Sequence, residues 1–464
     1  MNNLRRIPSV SKLLTEPTIK ELIGIYGSEH VTAQIRFVLD KVRVNSTKNI
    51  AIPEISALIE SVQNQLRNQV EPSLKSVINA TGIIIHTNLG RAPLGLKVYE
   101  ELKPVFENYC NLEFNLNDGA RGHRMGHVRD MICQLTGAED ALVVNNNASA
   151  VYMMLNVLAK NKEVLVSRGE LVEIGGSFRI PDIMNASGAK MVEVGTTNRT
   201  HLKDYADNIN ENTALIFRAH PSNYKIIGFT KDVDNRQLAE LAHKQDKIFI
   251  NDIGSGYLKE LPINALVSEP SVVKSLDEGA DLVSFSCDKL LGGCQGGIII
   301  GKKELIEKLS SNPLMRVFRV GKTTISILNS VLTGFLRESE RKERIPVYRY
   351  LERSLDEQRT IAEELKSLLD KVGIGSSIEP CYGYVGGGSV PEEKLDSWQV
   401  LLDPKQFPRQ EAAGIQKALM HGSIPVVGMM DNGRFGFKVL TLEMHHLNNI
   451  VESLMQIISK AGNL

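Results

Sequence analysis

An apolar stretch, Leu282 to Phe285, delivers Ser286-Cys-Asp288-Lys289 to a Gly292-Gly293 turn, and a second apolar stretch, Gly297 to Gly301, follows. A lysine held at such a point is poorly solvated. Desolvation lowers an amine's pKa, so the free base becomes available for Schiff-base chemistry. Upstream, Ile248-Phe-Ile-Asn-Asp252 ends another apolar stretch in a carboxylate just ahead of Gly254-Ser-Gly256. A strand-end acid to pair with a pyridinium nitrogen, and a strand-end amine to carry an aldehyde, together suit pyridoxal phosphate (PLP). Asn145, Asn146, Asn147, Ala148 and Ser149 fall where a strand gives way to a helix. Backbone N–H groups and short polar side chains there suit the cofactor's phosphate, although a plain helix cap has the same signature.

Three further clusters carry charge beside turn residues. Ser167 to Arg179 holds Arg168, Glu170, Glu173 and Arg179 around Gly175-Gly176 directly after a strand, which suits the wall of an active site. His201 and His220 each lie just past a strand end, and His220 is a candidate cofactor contact; either imidazole also suits a structural hydrogen bond. Arg91 follows Asn88-Leu-Gly90, while Arg316 and Arg319, three apart, fit one side of a helical turn and could grip an oxyanion. A solvated surface pair satisfies that spacing equally. The loop Gly119 to His127 is cationic and suits a phosphorylated partner or open solvent.

These residues need elements to hold them. Residues 9–70 read as helices, with Ser9 a candidate cap and a polar break at 44–49. From about residue 71 apolar strands alternate with helices: 141–144, 163–167, 190–194, 213–217, 248–250, 282–285 and 298–300. Continuous apolar strands joined by helices imply a mostly parallel sheet covered on both faces, with functional loops at the strands' carboxyl ends. The polar clusters fall there. Charged helices from about 335 to 370 lead into a smaller α+β region with short strands, a Gly386-Gly-Gly388 turn and a terminal helix from about 443. The expected division is 1–70, 71–335 and 336–464.

Composition narrows the setting. The 464 residues carry no formal net charge and only 5% aromatics, so no global basic field announces a nucleic acid, although a local patch can serve. Residues 1–70 carry a weak basic excess. Five scattered cysteines without a CxxC suit a reducing cytosol and argue against a disulfide framework or a zinc site, so no metal is expected. The N-terminus lacks the apolar core of a signal peptide, and no apolar run approaches the roughly 20 residues of a membrane helix. A cytoplasmic protein is expected.

Taken in order, several long runs resemble the bacterial selenocysteine synthase family, the L-seryl-tRNA(Sec) selenium transferases. They include Leu4-Arg-Arg-Ile-Pro-Ser-Val10, Ile78-Asn-Ala-Thr-Gly82, His86-Thr-Asn-Leu-Gly-Arg-Ala92 and Thr136-Gly-Ala-Glu-Asp-Ala141. Ser167 to Asp182, Glu193 to His201 and Asp288-Lys-Leu-Leu-Gly-Gly293 extend the likeness over nearly the whole chain. The resemblance implies an aspartate-aminotransferase-like large domain, a helical N-terminal domain that reads tRNA, and a small C-terminal domain. It implies that Lys289 holds PLP as a Schiff base, that Asp252 faces the pyridinium, and that Asp288 orients the lysine or the leaving hydroxyl. Arg91, Arg316 and Arg319 would grip selenophosphate, with seryl-tRNA(Sec) as the other substrate. A homodecamer built as a pentamer of dimers is further implied. The chain departs from the family pattern at Cys287, Cys294, Gly296, Gly321, Met429 and Leu440. A β-eliminating lyase for a small phosphorylated or hydroxylated amino acid, and a tRNA-binding homologue without turnover, are the competing expectations.

Overall fold

The computed structural model describes residues 6–46, 50–174, 178–221, 223–224, 226–387, 393–406, 409–422 and 424–461. The Gly175-Gly176 pair, Gly388 and the residues before Arg6 in the N-terminal motif lie outside them. The chain forms two compact units, Met1–Ser76 and Val77–Leu464. The described residues of the first form four helices, Val10–Leu14, Pro17–Tyr26, Ser28–Ser46 and Ile55–Val70. Ser9 caps its opening helix, its side chain accepting from the Lys12 N–H at 3.2 Å. Leu13, Leu22, Val31, Ile35, Leu39, Leu58, Val62 and Leu66 recur at helical spacing and form this unit's own core.

The second unit is built on a seven-stranded sheet. Its strands are β1 (Asp140–Val144), β2 (Glu163–Ser167), β3 (Lys190–Val194), β4 (Thr213–Ala219), β5 (Ile248–Gly254), β6 (Leu282–Ser286) and β7 (Gly297–Gly301). The order is β1-β7-β6-β5-β4-β2-β3, parallel except for β7, which runs antiparallel to both neighbours. Side chains alternate between faces. Val143, Leu165, Ile216, Phe249 and Val283 enter one core, and Leu142, Val144, Val164, Val166, Leu215, Phe217, Ile250 and Leu282 the other. The central strands are therefore mostly apolar and buried, as a sheet covered on both faces requires, while the edge strand β3 keeps Lys190 and Glu193 exposed.

The remainder adds a four-stranded antiparallel sheet, ordered Ser376–Tyr384, Lys394–Leu402, Arg434–Lys438 and Met429–Asp431. Leu355–Lys371 and the terminal helix Leu447–Ala461 contribute to its core. The first two strands run to nine residues each, longer than the short strands expected from sequence. Segment 78–85 is tied to this region: Ile78–Asn79 pairs with Val426–Val427, and Ile83 bridges Tyr384. The charged stretch after residue 335 resolves into short helical turns followed by Leu355–Lys371, and a buried helix, Lys322–Leu336, precedes it.

Arg344 pins these helices. It is 1% exposed and reaches Glu101 at 2.6 and 2.8 Å, Glu340 at 2.6 and 2.8 Å, and the Ser330 hydroxyl at 2.8 Å. Removing one partner of a fully buried ion pair costs roughly 3–5 kcal/mol, because a charge is left stranded. The Glu101 side chain keeps 43% exposure, so water can take over part of the lost solvation. Arg344→Ala is expected to destabilise the unit by about 2–3 kcal/mol. Urea unfolding should show a lowered midpoint at unchanged slope, and a loss below about 1 kcal/mol would contradict this account.

Candidate active site

Lys289 leaves the end of β6 on a loop that the backbone closes on itself. Cys287 N–H donates to Gly296 O at 2.9 Å, Gly293 N–H to Cys287 O at 2.7 Å, and Gly292 N–H to Lys289 O at 2.9 Å. Gly292 has φ +75°, and a Cβ there would lie 2.0 Å from Ile345 Cγ2, so only glycine fits this turn. The loop after β5 passes equally close. A Cβ on Gly256 would lie 2.4 Å from Ser286 O, and Leu290 N–H donates to Ser255 O at 2.9 Å. The Gly256 turn brings the β5 and β6 ends together.

The result is a cavity of about 270 Å³ whose walls include Arg91, Asn147, His220, Asp252, Asp288 and Lys289. Lys289 is 4% exposed. Burial pushes its amine below the ordinary lysine value, and the Arg91 charge adds to this against the attraction of Asp252 and Asp288. Asp252 is buried and shifted up by desolvation, opposed by hydrogen bonds from Asn147 Nδ2 at 2.8 Å and Ser284 Oγ at 2.9 Å. Among the described residues no cation lies within ion-pair distance of it. The His220 imidazole is pushed down to about 4, first by burial and then by the Arg218 and Lys289 charges, so it is neutral at physiological pH. Its backbone N–H donates to Asp252 O at 2.9 Å, which fixes its place at the end of β4.

Arg91 adopts φ +62°, its N–H bonded to His86 O at 3.0 Å, and its guanidinium pairs with Asp288 at 2.8 Å. The Asn146 side chain caps the helix Asn147–Ala159, accepting from Ser149 N–H at 2.8 Å and Ser149 Oγ at 3.0 Å. The first N–H groups of that helix, at Asn147 and Ala148, have no intrahelical partner, and both residues line the cavity.

PLP needs a buried carboxylate awaiting a cation, an amine able to lose its proton, and donors for a phosphate. Asp252, Lys289 and the helix start at Asn147-Ala148 meet those needs within one cavity.

Sequence reading and geometry part at several residues. Asn147 turns its amide to Asp252, and Asn145, which is exposed, donates its backbone N–H to Phe318 O at 3.1 Å; neither the Asn145 nor the Ser149 side chain lines the cavity. Arg168 is exposed and pairs with Glu193 at 2.9 Å. Arg319 lies in a different cavity, beside β1, with Glu113 at 3.4 Å, and Arg316 does not line the Lys289 cavity. Glu170 lies in a neighbouring cavity, where burial raises its carboxyl to about 7 against the pull of Arg218.

Ser284, Ser286 and Gln295 were not singled out from sequence. Ser284 sits in register with Asp252 across β5 and β6. A serine inside an otherwise apolar buried strand was the available signal. A Cβ on Gly296 would lie 3.1 Å from Cys287 Sγ, so the glycine makes room for the thiol. Burial pushes the Cys287 thiol far up and Cys294 to about 11, so both stay protonated and act as packing.

The chain matches known proteins along its length. Residues 77–443 match the family described as L-seryl-tRNA selenium transferase, and residues 4–43 match the selenocysteine synthase N-terminal family. The L-seryl-tRNA(Sec) selenium transferase of Alkaliphilus oremlandii is 39% identical over 460 residues, covering 97% of this chain and 98% of that protein. The enzyme of that name from Clostridium perfringens is 41% identical over 457 residues, covering 96% and 98%. Among solved structures, D-glucosaminate-6-phosphate ammonia-lyase superposes with a TM-score of 0.58 at 17% identity, covering 86% of this chain and 99% of that one, which is a likeness of fold. Full-length identity of this order, with the match running from the N-terminal unit through the Lys289 loop, shows that the chain belongs to the L-seryl-tRNA selenium transferase family.

Proposed function

We propose that this protein converts seryl-tRNA(Sec) to selenocysteinyl-tRNA(Sec) with PLP as cofactor and selenophosphate as selenium donor. One observation carries the reading: a buried amine and a buried carboxylate share one cavity in a chain that aligns end to end with selenium transferases. Bound PLP supplies an electron sink that acidifies the seryl Cα–H and lets the β-hydroxyl depart. The protein's own groups do the rest. Lys289, whose amine burial shifts towards the free base, takes the Cα proton at Nζ. Asp252, held by Asn147 and Ser284, would face the cofactor's ring nitrogen and favour its protonated form. Neutral His220 offers a flat wall, and the first N–H groups of helix Asn147–Ala159 hold the phosphate. In net terms the seryl hydroxyl is exchanged for a selenol, and the donor's phosphorus keeps the oxygen as phosphate.

Arg91 has donors left over after its pair with Asp288 and suits the donor's phosphate, while Asp288 holds that arginine beside Lys289. Arg316 and Arg319 lie off the Lys289 cavity, so they serve it from a neighbouring subunit, as in a decamer made of five dimers. The helical unit Met1–Ser76 takes the tRNA, and within Val77–Leu464 the sheet carrying Lys289 does the catalysis beside a small α+β region near the C-terminal end. Among the described residues no helix is long and apolar enough to cross a membrane; a tRNA substrate and unpaired thiols suit the cytoplasm.

The test is the visible absorption of the PLP-loaded protein before and after seryl-tRNA(Sec), with free serine as control. The band should shift with the charged tRNA and not with serine. A band indifferent to the tRNA would overturn the assignment and point to a small-molecule β-eliminating lyase.

A further inference from the structure

A second cavity, of about 320 Å³, lies beside the Lys289 cavity and shares His220 with it. Its walls include Ser167, Glu170, Thr197, Arg218 and Tyr224. Glu170 is the unusual member. It sits in the 3-10 turn Arg168–Glu170 at the end of β2 and is 8% exposed. Its Oε1 lies 3.4 Å from Arg218 Nε and the Ala219 backbone N–H also faces the carboxyl group, yet its buried Oε2 has no partner within hydrogen-bond geometry. Arg218 cannot turn to serve it, because its other nitrogens are committed to Val233 O at 2.6 Å, Asn235 Oδ1 at 2.8 Å and Asp232 at 3.1 Å. A buried acceptor without a donor is costly, so this oxygen calls for a donor from a ligand.

The other walls fit a flat base. The Tyr224 hydroxyl donates to Gly169 O, which fixes its ring, and Pro221 and Ile226 add apolar surface. Thr197 adds a hydroxyl to the lining, while Thr200 is tied to Ser167 at 2.7 Å and the Asn198 amide donates to Phe229 O at 2.6 Å. Arg199 and Lys231 stand among the lining residues, and Phe229, 83% exposed, follows Ile226 in the same loop; a cation beside an exposed aromatic ring suits single-stranded nucleic acid.

We propose that this cavity binds the terminal adenosine of the charged tRNA, with Glu170 Oε2 accepting from the exocyclic amine of adenine. This rests on seryl-tRNA being the substrate. The seryl group is esterified to the ribose of that adenosine, so the nucleoside must lie in a space adjoining the one that holds the reacting amine. The cavity beyond His220 adjoins it.

The test compares two tRNAs, both charged with serine by a ribozyme: one ends in adenosine, the other in purine riboside, which lacks the exocyclic amine. With the PLP-loaded full-length protein, loss of the amine is expected to lower kcat/KM about 10- to 100-fold, mostly through KM. Glu170→Gln should lose a similar factor on the adenosine tRNA, because its amide oxygen faces Arg218 and its NH2 meets the amine. The variant should lose nothing more on the purine-riboside tRNA. Equal turnover of both tRNAs by the unaltered protein would overturn the proposal without any substitution. An equal loss by Glu170→Gln on both tRNAs would overturn it too, by making Glu170 a merely structural residue. Absence of turnover on the adenosine tRNA would instead sink the substrate assignment, and the proposal with it.

Discussion

Lys289→Ala is expected to lower single-turnover conversion of seryl-tRNA by roughly 10³-fold or more, and to remove the visible band that covalently held PLP gives. The size follows from two losses at once. The side chain is the amine in the cavity that can both hold an aldehyde and accept a proton from Cα, and its burial lowers its pKa, which favours the free base. Lys289→Arg tests the second point separately. A guanidinium is fully protonated under these conditions and cannot take the proton, so the variant should be as inactive as the alanine form despite its length and charge. Small amines added to Lys289→Ala should restore part of the rate, since the substitution vacates the space of the missing side chain. A rate within about tenfold of the unaltered protein would show that another group does the proton transfer.

Asp252→Asn separates holding the cofactor from activating it. The amide preserves the shape and can still accept from Asn147 and Ser284, which approach one oxygen, Oδ1, at 2.8 and 2.9 Å. Only the charge is lost. Without it the ring nitrogen opposite is no longer kept protonated, and turnover should fall roughly 10²–10³-fold while the Lys289-bound visible band persists. Stability should move the other way in the cofactor-free protein. Burial raises the Asp252 pKa in the folded state, so ionisation opposes folding at every pH above the unfolded carboxyl value. The neutral asparagine escapes that penalty, and its melting temperature at pH 7 should equal or exceed that of the unaltered protein. Its advantage should shrink as pH falls and the aspartate protonates in both states. A variant that keeps full turnover, or that melts lower at neutral pH with normal packing, would remove Asp252 from this role.

How far sequence reaches can be followed residue by residue. The sheet was legible because its central strands are short, largely apolar runs, most of them separated by helical segments, a pattern that burial on both faces produces. Lys289 and Asp252 were legible because a charge at the end of such a run has few bland explanations. Asn147 was read as a phosphate ligand, whereas its side chain turns to Asp252. That choice depends on the distance between two segments more than a hundred positions apart, and spacing along the chain does not encode it. Ser284 was invisible for the same reason, since its value lies in a register across strands.

Arg91, Arg316 and Arg319 look alike in sequence, yet only Arg91 reaches the Lys289 cavity within the subunit, drawn there by Asp288. Arg168 and Glu170, two residues apart, are divided by one turn into a surface ion pair and a buried acid. The amino-acid sequence by itself determined the strand order of polarity, the cofactor lysine, its acidic partner and the family, because these are written in local burial and contiguous runs. Tertiary structure alone decided which polar side chains share a cavity and which stay in water. It also left Glu170 with an unanswered oxygen, because hydrogen-bond pairing and desolvation depend on neighbours that the fold, and not the chain order, supplies.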